Sequence, residues 1–170
     1  MSFTNIALLI ILLIAVLTDL SQRRIPNLLT FPAMLLGMLV HSYNSSLDGL
    51  LFSTGGLALG LGLLLVFYLF GMMGAGDVKL MAAVGSFLGP MGVFQAFLFT
   101  AMSGGIYAVA VLLLKGQLWR FLKRIGLSLY LSIAQRKPAM LPDDGAKELP
   151  VLCYGLAIAF GTTVSMFYHF

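Results

Sequence analysis

Gly71-Met72-Met73-Gly74-Ala75-Gly76-Asp77-Val78-Lys79 interrupts a long apolar stretch with glycines, one carboxylate and one ammonium. Behind it an uncharged run extends from residue 50 to residue 73, and ahead of it another extends from residue 80 to residue 114. Ionisable groups placed between such runs are costly in a membrane and point to function. Asp77 has two readings at this stage: a cap for the helix that follows, or one half of a site.

The composition decides what surrounds this stretch. Of 170 residues, 60% are hydrophobic and only 9% charged, far from the balance of a soluble domain. Apolar runs of this length cannot all be buried in so small a globule, so the chain reads as a polytopic membrane protein. Backbone groups in lipid must be satisfied within helices, and the alternation of barrel strands is absent. The expected fold is therefore all-α, one integral-membrane domain over residues 1–170 with about six transmembrane helices. A single cysteine, Cys153, excludes an intramolecular disulfide and a multi-cysteine zinc site; it reads as a small apolar helix residue.

The expected spans are residues 3–19, 28–43, 50–71, 77–88, 91–114 and 151–170. No Lys or Arg precedes Arg23, so the first run lacks the basic start of a signal peptide and reads as a retained helix. Pro26 biases Ile25 away from helix and closes a basic turn. Gly55, Gly56, Gly60 and Gly62 allow close helix approach in the third span. Gly89-Pro90 reads as a tight hairpin, and residues 41–49 as a polar outer connection. Within the loop 115–150, Leu118, Phe121, Leu122, Ile125 and Leu129 recur at helical spacing while Arg120, Lys123 and Arg124 fall off that stripe. This is an amphipathic helix expected in the cytoplasmic interface, with Trp119 and Tyr130 as anchors.

The formal charge is +4, but its distribution argues for topology rather than for nucleic acid, and no nucleic-acid partner is expected. All ten Lys and Arg residues fall in the loops after spans one, three and five. Positive residues stay cytoplasmic, which places both termini outside. Asp19, at the end of span one, and Asp77, at the start of span four, then share the cytoplasmic side.

Two carboxylates converging at the mouth of an apolar bundle suggest aspartyl-protease chemistry. Like charges close together share a proton. One carboxylate activates water while the protonated one polarises the scissile carbonyl. Gly74 and Gly76 leave room beside Asp77 for a substrate backbone. Lys79 reads as a topological charge, or as a holder of a lipid phosphate or substrate carboxylate. Asp19 taken alone would pair with Arg23. His41 and His169 read as interfacial residues without metal-ligand neighbours, so neither metal nor cofactor is expected. Asp48 lies outside; Asp143, Asp144 and Glu148 lie in the inner loop and read as solvated loop acids, with a docking place for basic groups of a partner as the alternative. The alternative is a small ion- or proton-coupled transporter with Asp19 and Asp77 as ion ligands. Transporter sites, however, lie near the midplane. A third reading is a structural assembly subunit.

Asp19 followed by Arg23-Arg24-Ile25-Pro26-Asn27, then Gly74-Ala75-Gly76-Asp77-Val78-Lys79-Leu80, resembles the type IV prepilin peptidase family. Tyr154-Gly155-Leu156-Ala157-Ile158-Ala159 with Gly161 is similar to that family's last-helix motif. The resemblance implies an aspartic endopeptidase of the Gly-x-Gly-Asp class in the bacterial inner membrane. It would remove the basic leader of prepilins or pseudopilins at the cytoplasmic face. Asp19 and Asp77 are then the catalytic pair, with Gly74, Gly76, Lys79, Ile25, Pro26 and Asn27 as motif or support residues. The chain lacks the cysteine-bearing domain of the larger methylating members, so it resembles the short form of the tight-adherence (Flp pilus) systems, and N-methylation is not implied. Pro150 is separated from Tyr154, where the family often has Pro directly before the Tyr-Gly pair.

Overall fold

The computed structural model describes residues 3–70, 73–114, 116 and 154–168. Four helical elements occur among them: α1 (Phe3–Gln22), α2 (Asn27–Leu69), α3 (Ala75–Leu114) and α4 (Tyr154–Tyr168). No strand occurs among the described residues. By internal contacts the chain divides into two units, Met1–Gly104 with Cys153–Phe170, and Gly105–Leu152. The carboxylates belong to the first unit; of the second, residues 105–114 are the end of α3.

Three elements are long and apolar enough to cross a membrane: α1, α2, and α3 over Ala75–Val111. α4 has 15 described residues, short of the ~20 that span a bilayer. The all-α membrane class thus holds, in the form of four elements rather than six separate helices. The amphipathic interfacial helix, the anchors Trp119 and Tyr130, the acids Asp143, Asp144 and Glu148, and Cys153 and His169 lie outside the described residues.

α1 presents one buried stripe, Leu8, Leu12, Ala15 and Asp19, the spacing of a single helix face. Ile10, Leu13, Leu17 and Leu20 face away, as lipid-facing residues do. Asp19 therefore continues the inward-facing stripe and ends it with a charge.

The two long elements are each broken. In α2 the helix leaves regular geometry at Ser45 (φ −138°, ψ 21°) and Ser46 (φ 50°, ψ −125°). A straight helix would hold residues 41 and 49 about 12 Å apart, yet Gly49 lies against the His41 carbonyl. The chain therefore turns sharply here. The expected polar connection over residues 41–49 shrinks to this two-residue break, because helix persists through His41 on one side and Gly49 on the other. α3 breaks at Gly89 (φ 71°, ψ −177°), a conformation open essentially to glycine; a β-carbon there would also strike the Phe52 ring. The expected turn at Gly89-Pro90 is present.

Residues 75–88 form the centre of the first unit. Leu80, Met81, Ala82, Ala83 and Val84 are all inaccessible, so this segment is covered on every side. Residues 47–69 reach it through glycine. Gly56 meets the backbone of Gly85 and Gly89, and Gly60 sits on the Met81 carbonyl. In lipid such close approach, rather than apolar burial, drives helix association.

The break at Gly89 leaves carbonyl groups that need donors from other elements. Pro90 has no N–H, so the Ser86 carbonyl loses its helical donor. Ser53 Oγ donates to it at 2.7 Å. The next carbonyl, Phe87, is bonded by His41 Nε2 at 2.8 Å, and the His41 ring lies 5.1 Å from that of Phe52. His41, expected as an interfacial residue, thus serves as a cap for a broken helix end. α4 runs back along the second half of α3: Ser165 Oγ donates to the Gly92 carbonyl at 3.3 Å, and Ser103 Oγ to the Ala157 carbonyl at 3.5 Å.

Removing a cap from a carbonyl with no other donor leaves an unsatisfied buried group, at a cost of about 1–3 kcal/mol. Ser53→Ala and His41→Ala are each expected to destabilise the protein by about that amount, measured as a lowered midpoint of unfolding in detergent micelles. An unchanged midpoint in both variants contradicts the capping role.

Candidate active site

Asp19 and Asp77 are both buried, 7% and 9% exposed. They enter one end of the bundle from different helices. Each finds a backbone N–H. Asp77 sits in the first turn of α3, and its Oδ2 accepts from the Gly74 N–H at 3.2 Å. This is half of a capping box, in which a side chain on the first turn reaches back to the residue before the helix. The cap reading of Asp77 is therefore correct for one of its oxygens. Asp19 Oδ2 accepts from the Gly155 N–H at the start of α4, at 3.0 Å. The ion pair with Arg23 expected of an isolated Asp19 does not form; Arg23 instead turns (φ 52°) and bonds the Asp19 carbonyl through its backbone N–H at 2.8 Å.

Oδ1 of each carboxylate has no protein partner among the described residues. The arrangement is a pair of backbone-anchored carboxylates, each with an oxygen left for a proton or a water.

The support residues close the gap between the two helices that carry the pair. Gly76 packs on Ile25: a β-carbon at 76 would lie 3.1 Å from Ile25 Cβ and 3.3 Å from its backbone N and O. Ile25 is buried. Pro26 (φ −70°, ψ 141°) precedes the first residue of α2 and accepts from the Leu29 N–H at 3.0 Å. Asn27 Oδ1 accepts from Lys79 Nζ at 2.8 Å, and the ammonium lies 5.2 Å from the centre of the Phe31 ring. Lys79 thus bridges the start of α2 and the start of α3. All eight residues singled out from sequence fall at this end. Gly155 is the addition: its motif was visible, but no spacing rule placed it against Asp19.

Asp48 is exposed near the break in α2, at the opposite end. A cavity of about 700 Å3 bounded by Phe3, Thr4, Leu39, Val40, Ser42, Tyr43 and Asn44 also lies at that end, away from the carboxylates. Among the described residues no group of three or more His, Cys, Asp or Glu is arranged to hold a metal ion.

A branched side chain at position 76 has no room against the Ile25 backbone. Gly76→Val is expected to cost about 1–3 kcal/mol, the usual penalty of overpacking, and to separate the turn after α1 from the start of α3. A melting temperature equal to that of the unaltered protein contradicts this packing.

Residues 6–109 match the type IV leader peptidase family. No curated protein and no solved structure matches the chain. The matched segment carries both buried carboxylates and the residues that tie their helices together, and it covers more than half of the sequence. The chain belongs to the type IV leader peptidase family.

Proposed function

We propose that the protein is an aspartic endopeptidase that removes the short basic leader of a type IV prepilin or pseudopilin. Asp19 and Asp77 are its catalytic pair. The observation that carries this reading is the pair itself: two buried carboxylates from different helices at one end of the bundle, each with one oxygen anchored by a backbone N–H and one left over.

The chemistry needs one proton between the two groups. The ionised carboxylate takes a proton from water as the water oxygen bonds to the scissile carbonyl carbon. The protonated partner gives its proton to the carbonyl oxygen. The resulting diol collapses as the amide nitrogen is protonated, breaking the C–N bond and leaving a carboxylate on the leader and an amine on the mature chain. Neither residue has a private role.

In this reading the breaks at Ser45–Ser46 and Gly89 divide α2 and α3 into two spans each, for six in one integral-membrane domain. Arg23, Arg24 and Lys79 then mark the site end as the cytoplasmic face of a bacterial inner membrane, with both termini outside. The substrate's basic leader is the protein partner and the bilayer is the solvent. The sequence resembles the short form of the tight-adherence systems, and N-methylation is not implied.

Purified protein incubated with a prepilin-like peptide is expected to release the leader, detected by mass. Asp19→Asn and Asp77→Asn should each lower the cleavage rate by at least about 10²–10⁴-fold, the range of general acid–base contributions, with membrane insertion intact. Substantial cleavage by either variant defeats the dyad. Ion flux into reconstituted vesicles that is lost in both variants, without peptide cleavage by the parent protein, would establish the transporter instead.

A further inference from the structure

We propose that Gly155, in the last helix, is a positioning residue of the catalytic pair, holding the Asp19 carboxylate in its working orientation. The inference rests on the peptidase reading above. It extends the site to α4, which lies outside the family-matched residues 6–109.

Three observations converge on this residue. The bond from the Gly155 N–H to Asp19 Oδ2 is buried and 3.0 Å long, and hydrogen bonds to ionised acceptors are the stronger kind. Gly155 and Asp19 are themselves buried, so water does not compete for the bond. The fit also excludes other residues. A β-carbon at position 155 would lie 2.7 Å from Asp19 Oδ2 and 3.2 Å from both Cβ and Cγ. Any side chain there displaces the carboxylate itself.

The donor is also fixed in place. Ser103 Oγ of α3 donates to the Ala157 carbonyl of α4, and Ser165 Oγ of α4 donates to the Gly92 carbonyl of α3. Asp19 stands at the end of α1, just before the chain turns at Arg23, and Gly155 orients its side chain from a different helix. Oδ2 is thereby occupied, and Oδ1 is the oxygen turned to chemistry. A displacement of about 1 Å in a reacting group costs on the order of 10²-fold in rate.

The test compares two glycine variants of α4 in the purified full-length protein, with a prepilin-like peptide as substrate. Gly155→Ala is expected to lower kcat by about 10²-fold with KM within about twofold of the parent. Gly161→Ala, which crowds the Thr100 backbone away from the carboxylates, controls for loosened packing; it should lower the melting temperature and lose kcat only in proportion to the unfolded fraction. A Gly155→Ala enzyme with kcat within about threefold of the parent, or one that follows the pattern of Gly161→Ala, overturns the proposal. If Gly155→Ala fails to insert, amide hydrogen exchange at Gly155 decides. Asp19→Ala should accelerate it by about tenfold or more, and unchanged exchange overturns the proposal. A parent protein that cleaves no leader defeats the peptidase reading and this inference with it. An active parent with an unaffected Gly155→Ala variant defeats the inference alone.

Discussion

Residues 80–84 have no side open to their surroundings, and that constraint organises the rest of the first unit. A helix covered on every side in lipid gains little from apolar burial, since lipid tails are as apolar as leucine. It is held by close backbone approach and by hydrogen bonds. Gly56 and Gly60 supply the approach against Gly85, Gly89 and Met81. The ends of the segment supply the polar demands: freed carbonyls at Ser86 and Phe87, and the start of the helix at Asp77. Ser53 and His41 answer the first, and Gly74, Gly76 and Lys79 manage the second.

The two carboxylates follow from the same economy of donors. A buried charge without a partner costs far more than a bundle of this size can carry. Each Asp draws instead on a backbone N–H. Asp77 uses the N–H before its own helix, and Asp19 uses that of a helix far along the chain. Because the donors are backbone groups, no Lys or Arg is spent on them. The second oxygen of each carboxylate therefore stays unpaired among the described residues, as the proposed chemistry requires.

The support residues act through geometry rather than charge. Ile25 and Gly76 touch because Gly76 presents no side chain at the contact, and Asn27 accepts from Lys79 across the same junction. The turn after α1 and the first turn of α3 are joined at two points. The position of Asp19 relative to Asp77 thus depends on residues that touch neither carboxylate.

Much of this was legible in the residues. Long uncharged runs meant lipid-facing helices, because nothing else satisfies the backbone there. Gly89-Pro90 announced a break through its backbone chemistry, whereas the buried face of α1 was not legible, because apolar residues occupy every side of it from Ile6 to Leu17. The carboxylates stood out because charge is rare in such a sequence. What the residues left open was pairing across distance. Spacing along the chain does not say that Ser53 and His41 would meet the carbonyls beside a proline-broken turn. Nor does it say that helix would continue through the polar stretch around residues 41–49. Least of all does it place Gly155 on Asp19, since a glycine carries no side-chain signal and its contribution is an N–H common to every non-proline residue. Composition and local periodicity were enough to read apolar surroundings and a helical class, and to pick out Asp19 and Asp77 as rare charges among apolar runs. Which backbone groups bond those acids depends on where distant segments meet, and that is a property of the folded chain.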